Sequence, residues 1–225
     1  MKKNTLLSLS GGLDSCSALH IYKDEIALAV SFNYGSNHND REIEFAKLSC
    51  SKLGIPHQVI DLREAFVGIK SALTSGAEHI PEGHYSADNM KVTVVPFRNG
   101  IMDALLAGIA DSNDLKKVLV ASHFGDDAVY PDCRTDFNNA MADAMRLGTH
   151  NGIKLRAPFA KILKADIARL ADALVPWEDT YSCYKGGQKH CGRCSTCVER
   201  LEALDGLEDL TEYEDVEYWK SVCQP

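Results

Sequence analysis

The chain has 225 residues, 45% of them hydrophobic, and a net charge of −8 at neutral pH. That length holds one α/β domain with a small appendage and excludes two full catalytic domains, and the apolar content excludes a disordered chain. The acidic balance, with a pI near 5.5, disfavours a nucleic acid as direct substrate, because such binding rests on neutralising phosphates. No run of ~18 apolar residues marks a membrane span. Met1 to Thr5 lead into a short apolar run with no small-residue cleavage site, so no export signal is expected and the expected location is the cytoplasm.

Thr5 to Leu9 read as a first strand. It breaks into Ser10-Gly11-Gly12-Leu13-Asp14-Ser15, after which Leu13, Cys16, Ser17, Leu19 and His20 open a helical pattern. Two glycines allow positive φ and close approach to a ligand. Loop amides and the helix N-terminus then make an anion site, with Ser10 and Ser15 adding hydroxyl donors. The run lacks the lysine of a GxxxxGK[ST] phosphate loop. Asp14 is a candidate Mg²⁺ ligand or a helix cap.

Ile26 to Phe32 form a continuous apolar run, as a buried parallel strand does. Residues 39–53 carry apolar positions at near-helical spacing, with Gly54 as the stop, and His57 to Leu62 read as a third strand. Residues 74–90 hold Gly76, Pro81 and Gly83 and few apolar positions, the pattern of a long mobile loop. Val92 to Val95 read as a strand that delivers Pro96-Phe97-Arg98-Asn99, followed by a helix through Ile101, Leu105, Leu106 and Ile109. Lys117 to Ser122 are the clearest later strand, with helices expected over 135–147 and 164–174, the latter after a strand end containing Pro158. This alternation predicts a doubly wound parallel sheet over residues 1–175, with a separate segment over 176–225. The acidic tail after Gly206 reads as a cap packing through Leu210, Tyr213, Tyr218 and Trp219. In such sheets ligands bind at the carboxyl ends of the strands, where the polar loops fall.

Four of the eight cysteines, Cys183, Cys191, Cys194 and Cys197, are spaced C-x7-C-x2-C-x2-C. Four thiolates complete a tetrahedral shell for one structural Zn²⁺ with no open position; an iron–sulfur cluster and redox thiols are the alternatives. Lys185, Lys189, His190, Arg193 and Arg200 are placed to offset the thiolate charge.

The Ser10–Ser15 run resembles the SGGxDS loop of the PP-loop ATP pyrophosphatases. Together with Val95-Pro96-Phe97-Arg98-Asn99, Tyr130-Pro131-Asp132-Cys133-Arg134 and Ser182-Cys183-Tyr184-Lys185-Gly186-Gly187 through Cys197, it is similar to the 7-cyano-7-deazaguanine synthases, over roughly residues 5–200. Departures are Phe97 at the usual glycine, a first cysteine interval one residue shorter than usual, and Ser36-Asn37 where Gln-Arg is frequent. The resemblance implies an adenine nucleotide alpha hydrolase-like fold. It also implies an ATP-dependent ligase that turns 7-carboxy-7-deazaguanine and ammonia into the nitrile through adenylated acid and amide. ATP, with Mg²⁺, would lie along Leu9, Ser10, Gly11, Gly12, Leu13, Asp14, Ser15, Cys16, Ser17, Ala18 and Leu19, with Ser10, Asp14 and Ser15 catalytic. Arg98, Asn99, Asp132 and Arg134 would contact substrate, Asp132 by accepting from the N1–H and 2-amino edge of the base. Arg98 in a surface ion pair and Asp132 as a turn former are the plainer readings. Cys133 reads as packing, since adenylate chemistry needs no thiol; His38 and His123 flank the same rim. A homodimer using free ammonia, with small-molecule substrates only, completes the expectation. A paralogue joining the adenylated acid to a macromolecular amine and a tRNA-thiolating enzyme are the rival functions.

Overall fold

The computed structural model describes residues 3–223. Strands β1 (Thr5–Ser8), β2 (Ile26–Asn33), β3 (His57–Asp61), β4 (Lys117–Leu119) and β5 (Lys154–Arg156) form one parallel sheet in the order β3-β2-β1-β4-β5. Every neighbouring pair is parallel, so the connections must cross over one face or the other. The helices that carry them are α1 (Leu13–Ile21), α2 (Asn39–Leu53), α3 (Arg98–Ser112) and α4 (Thr135–Gly148), with α5 (Lys164–Ala171), α6 (Ser195–Ala203) and α7 (Tyr218–Cys223) following β5.

Alternate side chains of a strand point to opposite faces, and β1 divides the core accordingly. Leu6 joins Val30, Val118 and the inward residues Met102, Leu106 and Ala110 of α3. Leu7 joins Ala29, Leu119 and the apolar sides of α1 and α5, through Leu13, Cys16, Leu19, Ile167 and Ala171. Cys183, Cys191, Cys194 and Cys197 sit in the first cluster, and Ala203 and Leu204 of α6 in the second. The cysteine segment thus shares the core of the sheet.

Two expectations are corrected. Val92 to Val95 form no strand: a 3-10 turn spans Asp88–Thr93 and the chain then runs straight into α3. Thr93 and Val95 are buried outside the sheet, Thr93 with its hydroxyl donating to the Met90 carbonyl at 2.7 Å. In the tail Trp219 is buried as expected, but Leu210 is 65% exposed. Residues 74–90 wind through short 3-10 turns, with Ile80 and Met90 buried and Glu82 bridged to Cys194. Glu82 also pairs with Lys185 and Arg193, which ties this segment to the cysteine loop.

Candidate active site

A cavity of about 260 Å³ opens where β1, β2 and β4 end. Along one wall runs the Ser10–Ser15 loop. Gly11 has φ +98°, and a Cβ there would lie 2.1 Å from the Glu42 carbonyl oxygen, so only glycine fits. Gly12 is different. Its backbone is extended (φ −79°, ψ 172°), and a Cβ would meet Ser10 Oγ at 3.4 Å and the Tyr181 carbonyl at 3.5 Å, ordinary contacts. The fold therefore permits a side chain at position 12, and its absence leaves the cavity wall bare.

Ser15 Oγ accepts from the amides of Ser10 (3.2 Å) and Gly11 (3.1 Å) and lies 2.9 Å from Ser10 Oγ. This hydroxyl clasp fixes the loop. The amides of Leu13, Asp14 and Ser15, at the start of α1, have no acceptor among the described residues. Such an N-terminus is favourable for phosphate oxygens. Leu9, Ser10, Gly12, Leu13, Asp14 and Ser15 line the cavity, whereas Cys16, Ser17, Ala18 and Leu19 are fully buried away from it.

Behind the loop lies a charge cluster. Asp14 Oδ2 is 3.2 Å from Lys164 Nζ, and Lys164 also pairs closely with Glu199. His123 Nε2 is 3.4 Å from Glu199, 3.5 Å from Asp126 and 4.0 Å from Asp14. Burial alone would lower the Lys164 ammonium, but the charges of Asp14, Glu199 and Asp126 outweigh it and push its pKa up. Desolvation raises Asp126. Asp14 Oδ1 is buried with no hydrogen-bond partner among the described residues. An oxygen in that state suits a divalent cation, so the cluster fits one beside the loop.

Across the cavity, Arg98 Nη1 donates to Tyr34 Oη at 3.1 Å, and the guanidinium stacks 5.5 Å from the Tyr34 ring centroid. Tyr130 and Tyr184, with hydroxyls 3.1 Å apart, stand in the same wall. No carboxylate lies within ion-pair distance of Arg98 among the described residues, which separates it from a surface ion pair and leaves its charge for an anionic ligand. Asp132 Oδ2 accepts from the Asn99 amide at 2.8 Å, capping α3 from another element. Asn99 Nδ2 donates to Cys133 Sγ at 3.1 Å. Cys133 is buried and its thiol is pushed up by that burial, as suits packing rather than nucleophilic attack. Burial drives Glu42 up to about 8, and His38, 3.7 Å from it, down to about 3.

Arg98, Asn99 and Asp132 thus meet the Ser10–Ser15 loop in one cavity. Arg134 does not: it is exposed, its Nε donates to the Asp127 carbonyl, and it lies outside the lining. At the start of α4 its side chain is turned to solvent. His38 lines the cavity and His123 stands behind it. Lys164, Glu199, Glu42 and Asp103 also face the site. Sequence reasoning passed over them because each is one polar residue in a helical pattern with no motif around it.

The four cysteines are buried with their sulfur atoms mutually within 4.8 Å, and Cys191 Sγ is 3.9 Å from Cys197 Sγ. Tetrahedral Zn–S bonds of ~2.3 Å put sulfurs ~3.8 Å apart, so the set fits a metal ion. Amides of Arg193 and Cys194 point at Cys191 Sγ (3.4 and 3.3 Å), and that of Cys191 at Cys183 Sγ (3.4 Å). The expected basic shell is otherwise engaged. Lys185 and Arg193 pair with Glu82, Lys189 with Glu212 and Arg200 with Asp209, while burial holds His190 near 3 and neutral. Thiolate charge is met chiefly by backbone amides.

The fold is similar to the solved structure of NMN synthetase from Francisella tularensis, with a TM-score of 0.50 at 15% identity over 99% of this chain and 85% of that one. Among curated proteins, the 7-cyano-7-deazaguanine synthase of Porphyromonas gingivalis is 50% identical over 218 residues, covering 95% of this chain and 98% of the relative. That of Brucella ovis is 44% identical over 228 residues, covering 98% and 97%. The family model described as queuosine biosynthesis protein QueC matches residues 4–208, and with relatives this similar along their whole length, the chain belongs to the QueC family.

Proposed function

We propose that this chain is an ATP-dependent ligase that makes 7-cyano-7-deazaguanine from 7-carboxy-7-deazaguanine and ammonia. The observation that carries the reading is one cavity with two anion sites. The bare amides of α1 stand ready for phosphates on one wall, and Arg98, without a carboxylate partner among the described residues, for a second anion on the other.

A carboxylate does not react with ammonia at neutral pH, because its leaving group would be oxide. Attack of its oxygen on the α-phosphorus of ATP forms an acyl adenylate and expels pyrophosphate. Ammonia adds to that carbonyl, AMP leaves, and a proton is lost, giving the amide. The amide oxygen then attacks a second ATP, again expelling pyrophosphate. Loss of AMP and the remaining N–H protons leaves the nitrile. Ser10, Gly12 and Ser15, with the free amides at the start of α1, cradle the pyrophosphate, Gly11 shapes the loop against α2 without lining the cavity, and Lys164 adds positive charge behind it. Arg98 and Asn99 hold the acid in line with the phosphorus. Asp14 would hold Mg²⁺, which when bound offsets charge on the pyrophosphate oxygens. The metal of the four cysteines is Zn²⁺, one per chain, with a structural role in an appended segment over 176–225. The lack of a disulfide among the eight cysteines, all within the described residues, supports a cytoplasmic setting, and the exposed Leu163, Leu170 and Leu174 support a homodimer.

The test is to incubate the protein with the carboxy-deazaguanine, Mg-ATP and ammonium and follow nitrile, AMP and pyrophosphate by mass. Release of ADP and phosphate, or an absence of nitrile, sinks the reading.

A further inference from the structure

Helix α3 turns Met102, Leu106, Ala107 and Ala110 into the core. Asp103 lies among them on the same inward side, 4% exposed, where an apolar side chain is expected. Neither of its carboxyl oxygens makes a hydrogen bond or an ion pair among the described residues, yet Asp103 lines the active-site cavity one helical turn from Asn99. A carboxyl group this little exposed, whose oxygens open onto the cavity and find no protein partner there, is poorly solvated in the free protein, so its partner is expected to come from outside.

We propose that Asp103 is the specificity-determining reader of the base, accepting both the ring N1–H and the exocyclic 2-amino group of a 2-amino-4-oxopyrimidine edge. The assignment rests on the function proposed above and names the residue that makes it selective. Asp132 is the obvious competitor, since it lines the same cavity and is also buried. One of its oxygens already accepts from the Asn99 backbone amide at 2.8 Å, which holds that carboxylate as the cap of α3 and leaves the oxygen a single lone pair, whereas a two-donor edge is met best by two uncommitted oxygens side by side. Asp103 offers both. Burial and the neighbouring charge of Asp132 push Asp103 up to about 7, and two N–H donors on its oxygens would relieve that penalty. The neighbouring polar groups of this wall are less suited: Arg98 presents only donors, and the Asn99 side-chain amide, with Nδ2 on Cys133 Sγ and Oδ1 3.4 Å from Arg98 Nε, offers a single acceptor.

The experiment compares 7-carboxy-7-deazaguanine with its analogue lacking the 2-amino group, in the full-length zinc-loaded protein and in Asp103→Asn and Asp103→Ala. Wild type should prefer the amino compound by about 100-fold or more in kcat/KM. Asn replaces one acceptor with a donor and Ala removes both, so the preference should fall below about tenfold, with the KM for ATP unchanged. Because Asp103 has no partner among the described residues, both variants should melt at a higher temperature than wild type without ligands. Retention of the wild-type preference by either variant overturns the assignment. So does a lowered melting temperature with equal loss on both compounds, or failure of both variants to fold, each of which marks a structural role. If wild type converts neither compound to nitrile, the proposed function falls and the assignment with it; if only the preference test fails, the proposed function stands.

Discussion

The same substitution at two adjacent glycines should have opposite consequences. In Gly11→Ala the new Cβ would sit 2.1 Å from the Glu42 carbonyl oxygen and 3.0 Å from the Ala46 amide nitrogen, both backbone atoms of α2. Relief requires moving α2 by more than an ångström, and the φ of +98° adds an L-residue penalty of ~1–2 kcal/mol. With the overpacking cost of ~1–3 kcal/mol, the loss comes to roughly 2–5 kcal/mol, a large share of a typical domain's ~5–15 kcal/mol. In Gly12→Ala the nearest contacts are 3.4 and 3.5 Å and the backbone is already extended. The restricted unfolded chain should then leave stability unchanged or raise it by ~0.4–1 kcal/mol. Its methyl group would nevertheless occupy the wall where phosphate oxygens meet the α1 amides. Loss of ~3 kcal/mol of transition-state contact corresponds to a fall of about 100-fold in kcat/KM. Urea denaturation and AMP release measure the two quantities. A destabilised Gly12→Ala would refute the steric distinction between the two glycines, and one with full activity would show that the bare wall has no part in binding phosphate.

Phe97 stands in the left-handed region (φ 55°, ψ 26°), and its ring covers Gly100 and meets Phe137 edge-on at 5.7 Å. Phe97→Gly and Phe97→Ala lose the same aromatic contact, but only glycine escapes the backbone penalty. The glycine variant should therefore be the more stable by ~1 kcal/mol in thermal or urea denaturation, the reverse of helix-propensity order. The reasoning fails if alanine equals or exceeds it. Elemental analysis should find one zinc per chain. Because the cysteines belong to the main core and structural zinc is worth ~10–16 kcal/mol in small domains, Cys194→Ser or strong chelation should unfold the whole chain. Iron with sulfide, or a folded metal-free protein, would contradict this. Ser10→Ala should slow acid adenylation and amide dehydration by similar factors of about 10–150, the loss of one charge-assisted hydrogen bond. A variant that lost only the first step would require a second activating site.

The Ser10–Ser15 run, the strand–helix alternation and the cysteine spacing were legible in the sequence because each is local. Tight turns, buried strands and metal loops are specified by neighbours within a few residues, and the chemistry they allow follows from residue type. The Val92–Val95 segment shows the limit of that reading. Its apolar character is compatible with a strand, but the open edges of the sheet lie on β3 and β5, and the segment instead closes a 3-10 turn through Thr93 and leads directly into α3. The charge cluster and Asp103 show it more fully. Asp14, Asp126, Lys164 and Glu199 come from four elements spread over most of the chain, so no window of sequence contains the site they build. The two glycines were adjacent letters with one shared meaning. Only the approach of α2 separates them, since steric exclusion depends on which backbone passes within van der Waals reach, and that is settled by tertiary packing.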